Sequence, residues 1–167
     1  MNLRTELIPH SELTEEQLLQ IIKLKSVRWP YSEAQQRAWM QENISPEDFH
    51  ILVYDEDFPI AYTNFVKTNV EINGKDVPFM GIGNVCTAES GKGYGNILMD
   101  AVNKAIAEKK WNGILLCQDR LVPYYEKFGW KLVSAEKIQA EKLKSLNTML
   151  YNFEEEVLSL SYTGRNF

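Results

Sequence analysis

Residues 85–95 read Val-Cys-Thr-Ala-Glu-Ser-Gly-Lys-Gly-Tyr-Gly, and they join an apolar run to an amphipathic stretch. Any fold for this chain must pass a strand into a helix through this segment. Gly91, Gly93 and Gly95 alternate with Lys92 and Tyr94. Glycines lack a Cβ, so successive backbone N–H groups can turn to one side. At a helix N-terminus such a nest attracts phosphate, and Lys92 adds positive charge. The same residues also read as a flexible glycine-rich turn that caps a helix. The segment is no Walker A loop, since no Gly-Lys-Ser/Thr closes it and its glycines are too close. It is no dinucleotide fingerprint either, because Gly-x-Gly-x-Gly stands in place of Gly-x-Gly-x-x-Gly and lies mid-chain.

The flanking pattern supplies the other elements. Leu3 to Ile8 reads as a first strand closed by Pro9. Thr14-Glu-Glu-Gln17 and Ser32-Glu-Ala-Gln35 both have the capping-box form. The first opens a helix with Leu18, Ile21 and Ile22 on its apolar face, and the second a helix running through Trp39. Pro30 separates them because it lacks the N–H a helix needs. Strands follow at His50–Tyr54 and Ile60–Lys67. Val70–Ile72, Asn73-Gly74 and Lys75–Phe79 form a hairpin with a type I′ turn. Phe79–Thr87 is a central strand whose Gly81 and Gly83 mark a bulge or a close backbone approach. Residues 96–109 carry Ile97, Leu98, Ala101, Val102, Ala105 and Ile106 on one stripe. Gly113–Cys117 is an apolar strand, and Val122–Phe128 a short helix stopped by Gly129. Trp130–Val133 and Thr148–Phe153 are strands around a polar, Lys-rich loop at 134–146. The order β-α-α-β-β-β-α-β-α-β-β predicts one mixed sheet with helices on both faces, of the α/β (α+β) class.

A chain of 167 residues suits one domain, 1–167, with a core large enough to need no disulfide or metal staple. Its net charge of −5 speaks against nucleic acid as a partner. No stretch approaches the roughly 20 apolar residues of a membrane span, and the first residues carry no secretory pattern. Cys86 and Cys117 lie in apolar strands and His10 and His50 stand apart, so no metal spacing exists. Buried thiols in a reducing, cytoplasmic compartment are expected.

Residues 118–130, Gln-Asp-Arg-Leu-Val-Pro-Tyr-Tyr-Glu-Lys-Phe-Gly-Trp, supply the second motif. A strand, then Ser90-Gly-Lys-Gly-Tyr-Gly95, a long helix, an apolar strand and Tyr124-Tyr-Glu-Lys-Phe-Gly-Trp130 together resemble the GCN5-related N-acetyltransferases (GNAT). In that family the loop is [Arg/Gln]-x-x-Gly-x-[Gly/Ala], and the later motif is often Asn-x-x-Ala-x-x-Phe-Tyr-Glu-Lys-x-Gly-Phe. The element order fits over nearly the whole chain. The resemblance implies the acyl-CoA N-acyltransferase fold, with a single twisted and mostly antiparallel sheet. A strand–hairpin layout and a late strand before an acidic stretch are weakly similar to the aminoglycoside 2′-N-acetyltransferase branch. Three positions depart. Ser90 replaces Arg/Gln, Gln118 replaces Asn, and Gly81 stands where that branch has a Glu.

The resemblance also implies a mechanism. Acetyl-CoA would insert its pantetheine arm between Phe79–Thr87 and Gly113–Cys117, pairing with the backbone of Val85, Cys86 and Thr87. Ser90, Gly91, Lys92, Gly93, Tyr94 and Gly95 would hold the pyrophosphate, with Gln118 completing the cofactor set. An amine would attack the thioester directly while the Val85 N–H stabilises the oxyanion. Tyr125 matches the family's general acid, which protonates the departing thiolate, and also reads as a core aromatic. Asn84 and Glu89 fall near the reaction centre, and water can relay the amine proton. No metal is required, and a homodimer suits the family.

Acceptor choice in such enzymes comes from the first two helices, which here carry Arg28, Trp29, Tyr31, Trp39 and Glu42; Trp29, Tyr31 and Trp39 are the expected amine wall. The leading expectation is acetyl transfer to the amine of a small molecule. Transfer to a protein or peptide, or a non-catalytic acyl-CoA sensor, are the alternatives. Residues 1–90 carry 7 Lys/Arg against 14 Asp/Glu, and residues 91–167 carry 11 against 9. That split would suit an anionic cofactor on one side and a cationic amine on the other.

Overall fold

A computed structural model describes residues 1–167. Its strands are β1 (Leu3–Pro9), β2 (Phe49–Asp55), β3 (Phe58–Ile72), β4 (Lys75–Thr87), β5 (Gly113–Cys117), β6 (Lys131–Leu132), β7 (Asn147–Tyr151) and β8 (Leu160–Ser161). The helices are α1 (Glu15–Arg28), α2 (Glu33–Asn43), α3 (Tyr94–Lys109) and α4 (Val122–Glu126), with short 3-10 turns between. One sheet runs in the order β1-β2-β3-β4-β5-β7-β6, and β8 pairs with β3. It is mostly antiparallel. The parallel exception is β4 with β5, in register from Met80–Gly113 to Ile82–Leu115.

The chain gathers into two compact units, residues 1–66 with 83–102 and Phe167, and residues 67–82 with 103–166. In the first, both capping boxes form. Thr14 Oγ1 and Ser32 Oγ accept from the Gln17 and Gln35 amides, and those glutamine side chains accept from the Thr14 and Ser32 N–H groups. These caps fix where α1 and α2 begin. Ile21 and Leu24 of α1 and Met40 of α2 bury against Leu52, Tyr62 and Val66.

A buried polar string crosses this core. Nδ1 of His10 and Nε2 of His50 share a hydrogen bond of 2.9 Å, and Nδ1 of His50 lies 2.7 Å from the Tyr62 hydroxyl. Neutral rings satisfy the string in either direction. Burial holds His50 down to about 3, with nearby His10 and Lys25 acting the same way and Asp48 opposing. His10 is also lowered, mainly by burial.

In the second unit, Asn73 and Gly74 both take positive φ, 53° and 79°, as the type I′ turn requires. Asn73 Oδ1 also accepts from the Leu158 and Ser159 N–H groups. That anchor positions β8, which pairs through Glu71–Ser161 and Ile72–Leu160. Trp130 is buried; it donates from Nε1 to Asn103 Oδ1 at 2.9 Å and stacks on Tyr151. Gly113 makes room for it, since a Cβ there would come within 2.8 Å of the indole.

Some expectations shift. The segments Ile60–Lys67 and Val70–Ile72 form one 15-residue strand, because Val70 and Ile72 keep the alternation inward across polar Thr68 and Asn69. The helix expected at Val122–Phe128 ends at Glu126. The N–H groups of Phe128 and Gly129 turn back to the Tyr125 and Glu126 carbonyls, with Gly129 at φ 83°. No helix is long and apolar enough to cross a membrane.

Candidate active site

In the first unit, β4 breaks its extended path at Gly83-Asn84. Asn84 takes φ 54°, a left-handed conformation that Asn tolerates better than most residues. Its Nδ2 donates to Asn64 Oδ1 at 2.6 Å. The Gly83 carbonyl accepts from Thr63 Oγ1 at 2.7 Å. Gly83 is also the close approach anticipated from sequence: an added Cβ would lie 2.1 Å from the Phe167 carbonyl carbon. The β4–β5 register ends at Ile82–Leu115, whereas β4 continues to Thr87 and β5 to Cys117.

Beyond the break, the Val85 carbonyl accepts from Arg28 Nη1 at 3.2 Å. Cys86 is buried, and burial pushes its thiol up to about 12. Its side chain belongs to the core. The Cys117 thiol is raised for the same reason and lies 3.7 Å from Met149 Sδ. Thr87 Oγ1 donates to the Glu89 carbonyl.

The loop Glu89–Gly93 is exposed. Gly91 and Gly93 both take φ 76°, and nothing lies within 4 Å of where their Cβ atoms would be. Lys92 between them does not share the positive φ. This alternation is the backbone condition under which neighbouring amides turn toward one anion. Asn96 and Ile97 N–H groups close the first turn of α3 onto the Gly93 carbonyl. The Tyr94 and Gly95 amides precede that turn and have no intrahelical acceptor. Lys92 pairs loosely with Glu89 at 4.0 Å, both exposed. Ser90 is exposed. A cavity of about 430 Å³ borders the loop, walled by Val27, Phe58, Ile60, Ala88 and Tyr94.

A second cavity, about 530 Å³, brings Trp29, Tyr31 and Trp39 together with Asn84. The three aromatic residues singled out in the sequence thus share one wall with the β4 break. Sequence reading did not assign four further residues to this site: Lys25, Gln35, Gln36 and Phe167. Lys25 is 3 % exposed, and its Nζ lies 4.1 Å from the centre of the Trp39 ring. Burial lowers it to about 8. Gln36, also buried, donates from Nε2 to the Trp29 carbonyl at 2.9 Å. The lining holds no Asp or Glu side chain. The acidic excess of the first half lies partly elsewhere, as where Glu15 and Glu33 pair with Arg37. Lys25→Met is expected to raise the thermal unfolding midpoint by a few degrees, because it removes a desolvated cation while keeping the volume. Differential scanning calorimetry checks this; a lower midpoint would mean that the ammonium stabilises the fold.

In the second unit, Tyr125 lies on α4, is 6 % exposed and packs edge-on to Tyr124. Its carbonyl accepts from the Phe128 and Trp130 N–H groups, so the turn that seats Trp130 also fixes Tyr125. Gln118, exposed after β5, accepts at Oε1 from Arg120 Nε. No group of three or more His, Cys, Asp or Glu is arranged to hold a metal ion.

Comparison with solved structures finds several of similar fold. An acyl-CoA N-acyltransferase from Pseudomonas aeruginosa matches with TM-score 0.64 and 18% identity, over 89% of this chain and 99% of that one. The GNAT family N-acetyltransferase YhbS from Escherichia coli, solved in complex with CoA, matches with TM-score 0.63 and 14% identity, over 98% and 91%. An aminoglycoside 6′-N-acetyltransferase complexed with coenzyme A matches with TM-score 0.61 and 12% identity, over 88% and 94%. The aminoglycoside enzyme in this set is therefore a 6′ rather than a 2′ acetyltransferase. Identities this low speak to fold. Among curated protein sequences no relative matches. The family itself is shown by sequence: the model of the acetyltransferase (GNAT) domain matches residues 10–133. With that match spanning the broken strand, the glycine loop, α3 and the Tyr-Tyr-Glu-Lys motif, the chain belongs to the GNAT N-acetyltransferases.

Proposed function

We propose that this protein moves an acetyl group from acetyl-CoA to the primary amine of a small molecule, by direct attack within a ternary complex. The observation that carries the reading is the aromatic cavity of Trp29, Tyr31 and Trp39 opening beside Asn84 at the β4 break. A small amine held there meets the strand expected to bind the thioester. A protein acceptor would instead call for a long open groove with these aromatics packed away.

In this reading the amides of Gly91, Lys92, Gly93 and Gly95 hold the pyrophosphate, flanked by Ser90 and Tyr94. The backbone of Val85, Cys86 and Thr87 pairs with the pantetheine amides, and Gln118 completes the cofactor set. Arg28 donates to the Val85 carbonyl, so a pantetheine amide reaching that oxygen exchanges one donor for another. The acceptor nitrogen attacks the thioester carbonyl. The Val85 N–H stabilises the oxyanion, with Asn84 setting the backbone that aims it. The new C–N bond forms, the C–S bond breaks, and the nitrogen's proton leaves through water. Tyr125 gives its proton to the thiolate, so the products are an N-acetyl amide and CoA thiol.

Calorimetric titration with acetyl-CoA, followed by thiol release over a panel of small amines and peptides, tests the reading. Release with small amines supports it; release with peptides alone overturns it. Gly93→Val is expected to weaken acetyl-CoA binding about tenfold or more. A β-branched residue at φ 76° strains the loop and re-aims the amides. Its melting temperature should fall by only a few degrees, since the strain is confined to an exposed loop and the added side chain meets no neighbour. Unchanged affinity would remove the loop as the pyrophosphate site.

A further inference from the structure

Gly83 is not required as glycine by its own backbone, since its φ lies outside the left-handed region. What excludes a side chain there is Phe167. A Cβ on Gly83 would lie 2.1 Å from the Phe167 carbonyl carbon and 2.8 Å from its oxygen. The strand beneath is held by two buried side chains of β3: Thr63 Oγ1 donates to the Gly83 carbonyl, and Asn64 Oδ1 accepts from Asn84. Phe167 thus rests on a fixed stretch of β4. It is half-buried and packs, like Trp29 and Trp39, against the cluster that holds Tyr62, Val66 and Cys86. It also lines the cavity that Asn84 borders. With Trp29, Tyr31 and Trp39 it makes half of the eight lining residues aromatic. Such a lining favours an aromatic guest over a saturated one of equal size, because the positive edge of one ring meets the negative face of the next.

We propose that Phe167 is a specificity-determining residue of the acceptor site, and that the acceptor it selects is a primary amine carried by a short alkyl arm on an aromatic ring. The inference rests on reading this cavity as the acceptor site. A cavity of about 530 Å³ admits a skeleton of that size. With the guest ring among the four aromatic residues, its alkyl arm can bring the amine to the β4 break at Asn84. Phe167 suits the role because its backbone is already seated. A ring presented from a fixed backbone loses little freedom when it meets the guest, so more of the contact energy goes to discrimination.

The test compares phenethylamine with cyclohexylethylamine, which has the same carbon count and is more apolar but not aromatic. Thiol release from acetyl-CoA gives kcat/KM for each amine. The wild type is expected to favour phenethylamine about tenfold. Phe167→Leu keeps apolar volume without a ring. It should reduce the ratio to about threefold or less, mostly through KM, because Phe167 meets the skeleton and not the reacting atoms. Phe167→Tyr should keep the wild-type ratio. Gly83→Ala keeps the ring but displaces its backbone, and should act as Phe167→Leu does. Circular dichroism shows that each variant is folded. A wild-type ratio near one overturns the proposal. So does a ratio that stays at the wild-type value in either Phe167→Leu or Gly83→Ala. The second arm needs no turnover: the N-acetyl products of the two amines are titrated calorimetrically into the whole protein. Preference for the aromatic product that depends on Phe167, with no thiol release from any amine, supports the inference and sinks the reading of the reaction. Thiol release without preference for the aromatic amine sinks the inference and leaves the acetyltransfer reading standing.

Discussion

Replacing Tyr125 by Phe is expected to lower turnover by about two orders of magnitude, while acetyl-CoA affinity stays within about twofold. The phenol is proposed to hand its proton to the departing thiolate, a role confined to bond cleavage and not to cofactor capture. Phenylalanine keeps the ring that packs edge-on to Tyr124 inside α4, so the local fold should persist. Thiol-release kinetics and calorimetric titration measure the two quantities separately. Tyr124→Phe is the control, since it alters the neighbouring ring with no expected loss of an acid. Wild-type turnover in Tyr125→Phe would make Tyr125 a packing residue, the other reading that its burial allows.

Acid should unfold this protein through His50. A histidine lowered from 6.5 to about 3 by burial binds a proton in the unfolded chain before it does so in the folded one. Between those two values the unfolded state therefore carries more protons, and stability falls as pH falls. The slope from this ring alone is at most about 1.4 kcal/mol per pH unit, or roughly 3 kcal/mol between pH 6.5 and 4. His10 acts in the same direction. His50→Gln, which keeps hydrogen-bonding atoms between His10 and Tyr62, should flatten the dependence. Urea unfolding at several pH values gives the comparison. The difference in slope between variant and wild type isolates His50 from the carboxylates that also titrate there. Equal slopes would mean that the ring is already protonated in the native protein.

Much of the fold was legible because local rules agreed with tertiary need. Both capping boxes and the Asn73-Gly74 turn follow from side chains a few residues apart, and each formed as read; Gly129 takes the positive φ expected of it, though α4 ends earlier, at Glu126. Gly113–Cys117 kept its predicted bounds. What could not be read is settled across the chain. β8 has two residues and exists because Asn73 holds Leu158 and Ser159 beside the end of β3. Asn84 gave no local sign of its left-handed turn. The signal fell on glycine next door, which serves instead the approach of Phe167.

The aromatic wall was expected from the family resemblance, which points to the first two helices, and the structure gathers its three residues at one cavity. Lys25 was passed over, although a sign was present. A lysine four residues after Ile21 and three after Ile22 falls on the apolar stripe, where a cation has no ordinary place. Charge counted by halves of the chain pointed to an acidic acceptor side, whereas no Asp or Glu side chain lines the cavity. Net charge over ninety residues says little about eight of them, because carboxylates such as Glu15 and Glu33, paired with Arg37, enter the count without lining the cavity.

The position of Phe167 has a practical side. Its backbone packs on Gly83 and its residue lines the aromatic cavity, so whatever follows it in the chain, natural or added, starts in the wall of that cavity. Met1, by contrast, is 81 % exposed. An affinity handle or fluorescent label for the binding and turnover measurements therefore belongs at the amino end, where it leaves the cavity as it is.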